Sequence, residues 1–385
     1  MLLNVTLWYK NMMKRKCCIC GEKGNIYLPI NPCFREEQKK YGYVSGKLEM
    51  LNEKKYVCKN CGATDRDRIC ADFLRRILGN ENFALNVLDI APSSAIKRFF
   101  SERYPFASYK TADLYMKDVD YCLDIQDMGK IENGKFDITI CCHVLEHVKD
   151  DKKALKEFYR ILSDRGLGIF LVPIDLEQEE IDEEYGCSPE ENIRRFGQED
   201  HVRKYSKTGF VDRLSEAGFK VCQLGYKWFG RKDSWDNAFT KTSVLYVVSK
   251  YEGYTESNLE QMFKNDLPRV EVTRRTNEIE YNIDGLEKQN GFISIWGWMF
   301  HKNKKDQNFA GIVILKRNDV DYYRKRFLLK ERSDVQKAYG KEYLRTGIEI
   351  MIPINDLVKG DYEVSLLLTC DSVAYEIGWK QNVEV

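Results

Sequence analysis

The chain has 385 residues, which is too long for one average domain, so we expect two or three. Apolar residues make up 43% of the sequence, charged residues make up 31%, and the formal net charge is +1. This balance excludes a disordered chain and a generally basic, polyanion-binding protein. Thirteen cysteines do not form a disulfide-like pattern, which favours reduced thiols and a cytoplasmic location.

The N-terminal segment, residues 1–65, begins with a largely apolar stretch of nine residues, MLLNVTLWY. This stretch is too short to span a bilayer. It has no basic residues before it and no small-residue cleavage site after it, so it does not resemble a signal peptide. We therefore expect no membrane insertion.

Two C-x-x-C pairs follow in the same segment, Cys17 with Cys20 and Cys58 with Cys61, separated by 37 residues. Two such pairs bring four thiolates within reach of one tetrahedral Zn²⁺, and a glycine after each pair permits the tight turn. Four thiolates leave no open position, which indicates a structural rather than a catalytic zinc. The alternative is a small lobe with free cysteines.

Residues 66–250 alternate strand-like runs with helical segments, which predicts an α/β domain with a mostly parallel sheet. The runs are VLDIA, YKTADL, FDITICC and LGIFLVPI, and DDKKALKEFYRILSDRG has apolar residues at helical spacing. At the end of the domain, FKVCQLGYKWF and TSVLYVVSK read as two strands joined only by a loop, and therefore antiparallel.

The rest of the chain changes character. Residues 251–275 are polar and predict a linker with some helix, and residues 276–385 contain six short strand-like runs separated by turns. That spacing predicts a β-sandwich module of about 110 residues. Trp296 and Trp298 lie on one side of a predicted strand, either as part of the core or as a platform for a sugar ring.

Carboxylates close three of the strands of the α/β domain. Asp89 ends the first strand, and the loop after it begins a helix that Ser93 or Ser94 can cap. Asp113 ends the second strand 24 residues later and can accept hydrogen bonds from ribose hydroxyls, while Asp124 and Ile125 follow a third short strand and suit an adenine ring. The candidate cofactor residues are Asp89, Ala91, Pro92, Ser93, Asp113, Leu114, Asp124, Ile125 and His143.

With these motifs the sequence resembles the class I S-adenosylmethionine-dependent methyltransferases, in particular the branch with the short type 11 domain. The resemblance covers about residues 80–250 and rests on VLDIAPSSAI, TADL, LDIQDM and, most specifically, FDITICCHVLEHV. It implies a Rossmann-like, seven-stranded sheet with S-adenosylmethionine as cofactor. The family usually has D/E-x-G-x-G in its first loop, whereas this chain has Ala91 and Ser93 at the glycine positions, with Pro92 between them. The loop resembles a variant type that often follows a cysteine-paired segment.

Methyl transfer to a hydroxyl needs a base, and the sequence has only four histidines. We expect His201 to be the base, with Arg203 and Tyr205 orienting the acceptor, and His143 is the competing candidate. The alternative is that His143 and Glu146 only cap a helix and that HVRKY packs against the sheet.

Three functions remain open. The first is methylation of a hydroxyl or amine on a sugar-like or other small-molecule acceptor. The C-terminal segment supports it, because it resembles a β-sandwich module of bacterial surface-polysaccharide enzymes. The second is an rRNA base methyltransferase with a zinc ribbon, since residues 14–68 contain 13 basic and 7 acidic side chains. The near-zero net charge and the acidic run DLEQEEIDEEYGCSPEE argue against a nucleic-acid partner. The third is a non-enzymatic scaffold. The sequence does not indicate an oligomeric state.

Overall fold

The computed structural model describes residues 14–79, 83–267, 271–273, 276–304, 309–317, 320–340, 343–354, 357–370 and 373–385. The apolar opening at residues 1–9 lies outside these ranges. The described chain forms two compact units: residues 14–79, 85–99 and 109–267 form the first, and residues 83–84, 100–108 and the chain from 271 onward form the second. None of the described helices is long and apolar enough to cross a membrane.

The first unit begins with a small lobe that contains the cysteine pairs. Its short strands pair antiparallel, β1 with β2 and β3 with β4. Its elements are β1 (Arg15–Lys16), β2 (Lys23–Gly24), β3 (Tyr27–Leu28), α1 (Pro32–Lys40), β4 (Val57–Cys58) and α2 (Asp65–Leu78). The helix α2 begins with a complete capping box between Thr64 and Asp67, which explains why it starts directly behind the second cysteine pair.

The centre of the first unit is a seven-stranded sheet in the order β12-β13-β9-β8-β5-β6-β7. The strands are β5 (Asn86–Ile90), β6 (Ser108–Asp113), β7 (Tyr121–Cys122), β8 (Phe136–Cys142), β9 (Leu162–Leu171), β12 (Lys220–Gly225) and β13 (Val244–Ser249). Strand β13 is antiparallel to both of its neighbours, β12 and β9, and the described central pairs are parallel. The sheet therefore has the Rossmann-like methyltransferase arrangement that the sequence predicts.

Helices connect these strands, and a two-stranded ribbon lies in the loop after β9. The helices are α3 (Ser94–Arg103), α4 (Asp151–Ile161), α5 (Pro189–Phe196), α6 (Lys207–Glu216), α7 (Tyr226–Asp236) and α8 (Leu259–Asp266), and the ribbon is β10 (Asp182–Glu183) with β11 (Arg203–Lys204). The buried side chains of α4, Ala154, Leu155, Phe158 and Ile161, join the core beneath the sheet. Their i, i+1, i+4 and i+7 spacing places them on one face of the helix, as the sequence predicts.

Two sequence predictions of local structure are wrong. The helix predicted over residues 150–166 ends at Ile161, and Leu162 already begins β9. The aromatic run after Gly225 is helix α7 rather than strand, so β12 and β13 are not joined by a loop alone. Tertiary packing overrides the strand preference of YKWF, because the ring of Trp228 contacts Phe73 and that of Phe229 contacts Phe239.

The second unit contains two β-sheets. One has the order β14-β22-β21-β17-β18 and the other the order β15-β16-β20-β19. The elements are β14 (Glu271–Thr273), β15 (Ile279–Gln289), β16 (Phe292–His301), β17 (Ala310–Arg317), β18 (Val320–Leu328), β19 (Lys330–Glu331), α9 (Ser333–Tyr339), β20 (Arg345–Pro353), β21 (Asp361–Cys370) and β22 (Val373–Glu384). Residues of both sheets share one apolar cluster, for example Ile293 and Ile350 with Val364 and Ile377. The region is all-β apart from short helical segments.

The two tryptophans of β16 lie on the face opposite to that cluster. Ile293 and Ile295 of β16 are buried, whereas Trp296 and Trp298 are half-buried. The Trp298 ring stacks on Phe300 with 5.7 Å between centroids and also contacts Tyr339 of α9. The pair therefore belongs neither to the main core nor to a fully open platform.

Candidate functional site

The sheet has a topological switch point between β5 and β8. From β5 the chain builds outward through β6 and β7, then returns to β8 on the other side of β5 and continues to β9. The two strands are parallel, with Asp89 opposite Ile140 and Ile90 opposite Cys141. In open α/β sheets, ligands bind outside the carboxyl ends of the strands at such a point.

A non-glycine residue with positive φ follows each of these two strands, Ala91 after β5 (φ 50°) and His143 after β8 (φ 58°). Such backbone strain is concentrated at functional sites. Ala91 is exposed and takes the left-handed conformation at the place where the family usually has glycine, while its N–H donates to the Ala112 carbonyl oxygen at 2.9 Å. The altered loop therefore keeps a glycine-like backbone.

The loop after β5 forms the predicted strand–turn–helix. Pro92 is buried, and the Ser93 hydroxyl accepts a hydrogen bond from the Ile96 N–H at 3.1 Å, which caps α3. Beneath the loop, Asp89 is only 3% exposed and accepts a hydrogen bond from the Tyr109 hydroxyl. Burial raises the pKa of Asp89 to about 7, although the Tyr109 hydroxyl opposes the shift.

Asp113 at the end of β6 keeps one carboxylate oxygen available. Its Oδ1 accepts hydrogen bonds from the backbone N–H groups of Tyr115 (2.7 Å) and Met116 (2.8 Å), and no described residue donates to Oδ2. Leu114, Tyr115 and Met116 are 47%, 85% and 42% exposed, so an apolar surface adjoins the carboxylate. Sequence reasoning identified Leu114 but missed Tyr115 and Met116. Their position as apolar residues directly after the strand-end acid was the signal that could have identified them.

The two residues predicted to hold adenine have different surroundings. Asp124 is half-buried, and its Oδ1 accepts a hydrogen bond from the Gln126 N–H at 2.8 Å. Ile125 is 4% exposed and packs in the core of the sheet, so its side chain offers little surface to a ligand. Gln126 also accepts from the Asp150 N–H at 2.9 Å, which links this loop to the start of α4.

A cavity of about 460 Å³ opens beside the end of β8 within the first unit. One wall is formed by the histidine–glutamate loop after β8 together with His201. Other lining residues come from α1, the loop before β4 and the first turn of α2, and they include aromatic rings and the cations Arg35 and Arg66. The residues that matter below are Phe34, Arg35, Tyr43, Tyr56, Arg66, His143, Glu146, His147, Phe196 and His201.

The polar end of the cavity concentrates three imidazoles around one carboxylate. His143 Nδ1 lies 3.2 Å from Glu146 Oε1, and the ring centroids of His147 and His201 are 4.6 Å apart. Glu146 is fully buried. Burial opposes its ionisation, but the three neighbouring histidines outweigh burial and lower the pKa of Glu146 to about 2. His201 is 3% exposed, and burial lowers its pKa to about 4, so its imidazole is neutral at pH 7.

Arg203 and Tyr205, which the sequence predicts to orient the acceptor, are not among the residues that line this cavity. Tyr205 is completely buried, and its hydroxyl donates to Asp151 Oδ2 at 2.6 Å. Arg203 is 3% exposed and donates to three backbone carbonyls of the loop that carries the histidines. These carbonyls belong to Leu145 (2.6 Å), Val148 (2.5 Å) and Lys149 (3.0 Å). Arg203 therefore fixes the shape of the loop after β8.

The acidic run does not line the cavity. Several of its carboxylates form ion pairs with arginines instead. Asp182 and Glu184 pair with Arg195, and Glu183 pairs with Arg203 and Arg213. Glu146 is the only acidic side chain among the residues that line the cavity. The expected repulsion of anionic acceptors is therefore not built into this site.

The four paired cysteines converge at one point of the lobe. Cys17 Sγ lies 3.8 Å from Cys61 Sγ, Cys20 Sγ lies 3.9 Å from Cys58 Sγ, and all four sulfurs are within 4.8 Å of one another. Zinc–sulfur bonds of about 2.3 Å in a tetrahedron place sulfurs about 3.8 Å apart, so this donor set fits Zn²⁺. Gly21 and Gly62 have φ of 75° and 72°, as the predicted turns require.

Sequence reasoning missed the residue that joins the lobe to the sheet domain. Arg68 of α2 is completely buried and donates to four backbone carbonyls: those of Lys55, Tyr56, Ala63 and Asn237. Two of these flank the second cysteine pair, and Asn237 follows α7. A charged residue in a helix gave no signal that it would be buried.

Residues 75–170 match the family model described as a methyltransferase domain. No curated protein matches the chain. Among solved structures, the YcgJ protein of Bacillus subtilis is 16% identical, with 47% of this chain and 99% of that chain covered and a TM-score of 0.30. A putative S-adenosylmethionine-dependent methyltransferase of Listeria monocytogenes is 18% identical, with 47% and 96% covered and a TM-score of 0.29. TM-scores of this size carry no conclusion by themselves. The family match over residues 75–170, together with the seven-stranded sheet, shows that the chain contains an S-adenosylmethionine-dependent methyltransferase domain.

Proposed function

We propose that the chain transfers a methyl group to a hydroxyl or amine of a ring-shaped, sugar-like acceptor bound in the cavity beside β8. The observation that carries this proposal is His143. Its backbone is strained at the end of β8, its imidazole lines the cavity, and a buried carboxylate lies 3.2 Å from its Nδ1. A base oriented by a carboxylate is the arrangement that removes a proton from an acceptor hydroxyl.

On the donor side, the residues that would hold S-adenosylmethionine are the strand-end groups. The free Oδ2 of Asp113 can accept from ribose hydroxyls, Leu114 and its exposed neighbours can cover the adenine, and Asp124 can accept from its amino group. The backbone of Ala91, Pro92 and Ser93 borders the methionine end. When bound, S-adenosylmethionine supplies an electrophilic methyl group. As the methyl group is transferred, its bond to sulfur breaks and sulfur keeps the electron pair.

On the acceptor side, His143 takes the proton as the acceptor oxygen forms its bond to the methyl carbon. The sequence favoured His201 for this role, but His201 is buried and its low pKa makes it a weak base at neutral pH. His143 is more accessible, with 23% of its side chain exposed. We therefore propose His143 as the base and assign His201 to the cavity wall.

The cavity walls support a ring-shaped acceptor that carries negative charge. Phe34, Tyr43, Tyr56 and Phe196 provide surfaces for ring stacking. Arg35 and Arg66 line the same space; Arg35 pairs with Glu53, and the acidic neighbours of Arg66 include Asp67 and Glu146. Nucleotide sugars and other phosphorylated sugars combine these features. Such an acceptor would be consistent with the proposed role in surface-polysaccharide synthesis.

We also propose that the four thiolates hold a structural Zn²⁺. The sulfur spacing supports it, and four protein ligands leave no position for a substrate. The ion would tie the first cysteine pair to the second and so set the position of α1, whose side chains line the cavity.

The proposal is tested with radiolabelled S-adenosylmethionine and a panel of nucleotide sugars, comparing wild type with His143→Ala and His201→Ala. We expect His143→Ala to lower kcat about 10²–10⁴-fold with unchanged affinity for S-adenosylmethionine. His201→Ala should retain a larger share of kcat. The reverse order would contradict His143 as the base, and the absence of turnover on any sugar nucleotide would contradict the acceptor class.

The competing function, rRNA methylation, is supported by one observation. A second cleft of the first unit is lined by four cations, Arg15, Arg231, Lys232 and Lys241, with Tyr226, Trp235 and Phe239. Basic and aromatic side chains together suit single-stranded RNA. Filter binding at several salt concentrations, with Arg231→Glu as the variant, tests it. Salt-dependent binding lost in the variant would favour RNA, and absence of binding at low salt would remove it.

A further inference from the structure

The histidine–glutamate cluster of the cavity contains a buried carboxylate that has no hydrogen-bond partner among the described residues. Glu146 is 0% exposed, and no described residue donates a hydrogen bond of good geometry to either carboxylate oxygen. The closest cationic group is the imidazole of His143, 3.2 Å away, which is charged only when protonated. Burial of a carboxylate without a hydrogen-bond partner is unfavourable, and a cation bound beside Glu146 would remove that cost.

The imidazole of His201, next to Glu146, also has no hydrogen-bond partner among the described residues. His201 is 3% exposed, and neither of its ring nitrogens has a partner among the described residues. A buried imidazole whose ring nitrogens have no partner, next to a carboxylate, offers the donor atoms that a metal ion binds. Glu146, His147 and His201 each offer one ligand atom, and these three atoms lie within 4.8 Å of one another.

The second contact of His147 supports the same interpretation. His147 Nδ1 lies 3.1 Å from Oδ2 of Asp200, an exposed residue directly before His201. Metal-bound histidines usually give their other ring nitrogen to a carboxylate, which fixes the tautomer and turns the free nitrogen toward the ion. The Val202 N–H also donates to the Glu146 carbonyl oxygen at 2.9 Å, so the backbone holds the two halves of the cluster together.

We propose that Glu146, His147 and His201 bind a divalent first-row transition-metal ion at the polar end of the cavity. Two imidazoles and one carboxylate suit ions such as Zn²⁺, Co²⁺ or Mn²⁺. Ligand atoms around one such ion lie about 3–4 Å apart, which the three side chains reach with shifts of about 1 Å. The site is distinct from the four-cysteine cluster in both position and donor type.

Three protein ligands leave coordination positions open toward the cavity, where an oxygen of the acceptor can bind. This use of the ion rests on the proposed function, whereas metal binding itself does not. An ion-bound hydroxyl loses its proton more easily, and His143, on the same cavity wall, is placed to take it. A vicinal diol or another pair of adjacent oxygens is the acceptor group that two open positions favour.

The test is a Co²⁺ titration of the full chain, with Zn²⁺ in the cysteine cluster and neither methyl donor nor acceptor present. We expect one Co²⁺ per chain beyond the zinc, with the weak visible absorption of nitrogen and oxygen ligands. Glu146→Gln and His201→Ala should each weaken this binding at least 10-fold. Asp200→Asn should weaken it about 10–100-fold, as second-shell changes do. Glu199→Gln removes a neighbouring exposed acid and is the matched control, with unchanged affinity expected.

Three results would overturn the proposal: no Co²⁺ beyond the cysteine cluster, intense thiolate absorption only, or equal affinity in wild type, Glu146→Gln and His201→Ala. Should a variant lose its zinc and fold poorly, the imidazole NMR signals of wild type decide. Adding Zn²⁺ to the zinc-loaded chain should shift His147 and His201 and leave His301 of the second unit unchanged. Because the titration contains no methyl donor, its failure would leave the proposed methyl transfer untouched.

Discussion

Asp89→Asn tests whether the cofactor loop rests on a carboxyl group that burial keeps protonated. Asp89 is 3% exposed, and burial raises its pKa from 3.8 to about 7. Between these values the folded chain holds a proton that the unfolded chain has released, so stability must fall as the pH rises. Each pKa unit corresponds to 1.36 kcal/mol, which gives about 4 kcal/mol in all and about 2.5 kcal/mol between pH 5 and pH 8.

The assay is urea unfolding of the zinc-loaded chain without cofactor, at pH 5 to 8, for wild type and Asp89→Asn. Asparagine cannot titrate, and pH effects of other groups cancel in the difference between the two proteins. The free energy of unfolding of wild type should therefore fall by about 2.5 kcal/mol relative to the variant over this range. Tyr109→Phe removes the hydrogen bond that lowers the Asp89 pKa and should extend the fall to higher pH. A difference that stays constant with pH would refute a buried, protonated Asp89.

Three further outcomes are expected. Ala91→Gly should stabilise the chain by about 0.5–1 kcal/mol, because relief of the left-handed φ of 50° exceeds the entropy cost of glycine. It should also preserve the affinity for S-adenosylmethionine. Urea unfolding measures the stability, and calorimetry measures the affinity. Arg203→Lys keeps the charge but loses the fork that binds three loop carbonyls, so it should destabilise by about 1–3 kcal/mol and lower kcat more than it changes KM. Cys58→Ser should abolish stoichiometric zinc and lower the Tm, whereas Cys33→Ser, an exposed cysteine outside the cluster, should change neither in elemental analysis and calorimetry.

The sequence predicted the sheet and the cysteine cluster because both have local signals. The run FDITICC coincides with β8, and the acids at the ends of β5 and β6 stand where the apolar runs stop. Glycine at the first-loop positions is not required by the fold, since Ala91 reaches positive φ at moderate cost. A motif that requires glycine at these positions therefore misses loops in which alanine adopts the same backbone conformation.

The acceptor side could not be predicted, because its geometry depends on contacts between distant parts of the chain. Arg203 and Tyr205 look like site residues because they follow a histidine, yet both side chains are buried. The Tyr205 hydroxyl, for example, donates a hydrogen bond to buried Asp151. The cavity exists only because the lobe packs on the sheet domain, as in the hydrogen bond of Tyr246 to Glu49 at 2.8 Å. No spacing in the sequence shows that α1 and His143 line the same cavity.

The most direct test of the central claim is calorimetric titration of S-adenosylmethionine into the zinc-loaded chain and into Asp113→Asn. Asparagine keeps the acceptor for the Tyr115 and Met116 N–H groups but replaces the free Oδ2 with an NH₂ group that cannot accept ribose hydroxyls. We predict micromolar binding by wild type, about −8 kcal/mol. The affinity of Asp113→Asn should be about 10–100-fold weaker, and that of Asp118→Asn, an exposed acid in the same loop, unchanged. No binding by folded wild type, or equal binding by Asp113→Asn, would contradict a cofactor site at the ends of β5 and β6.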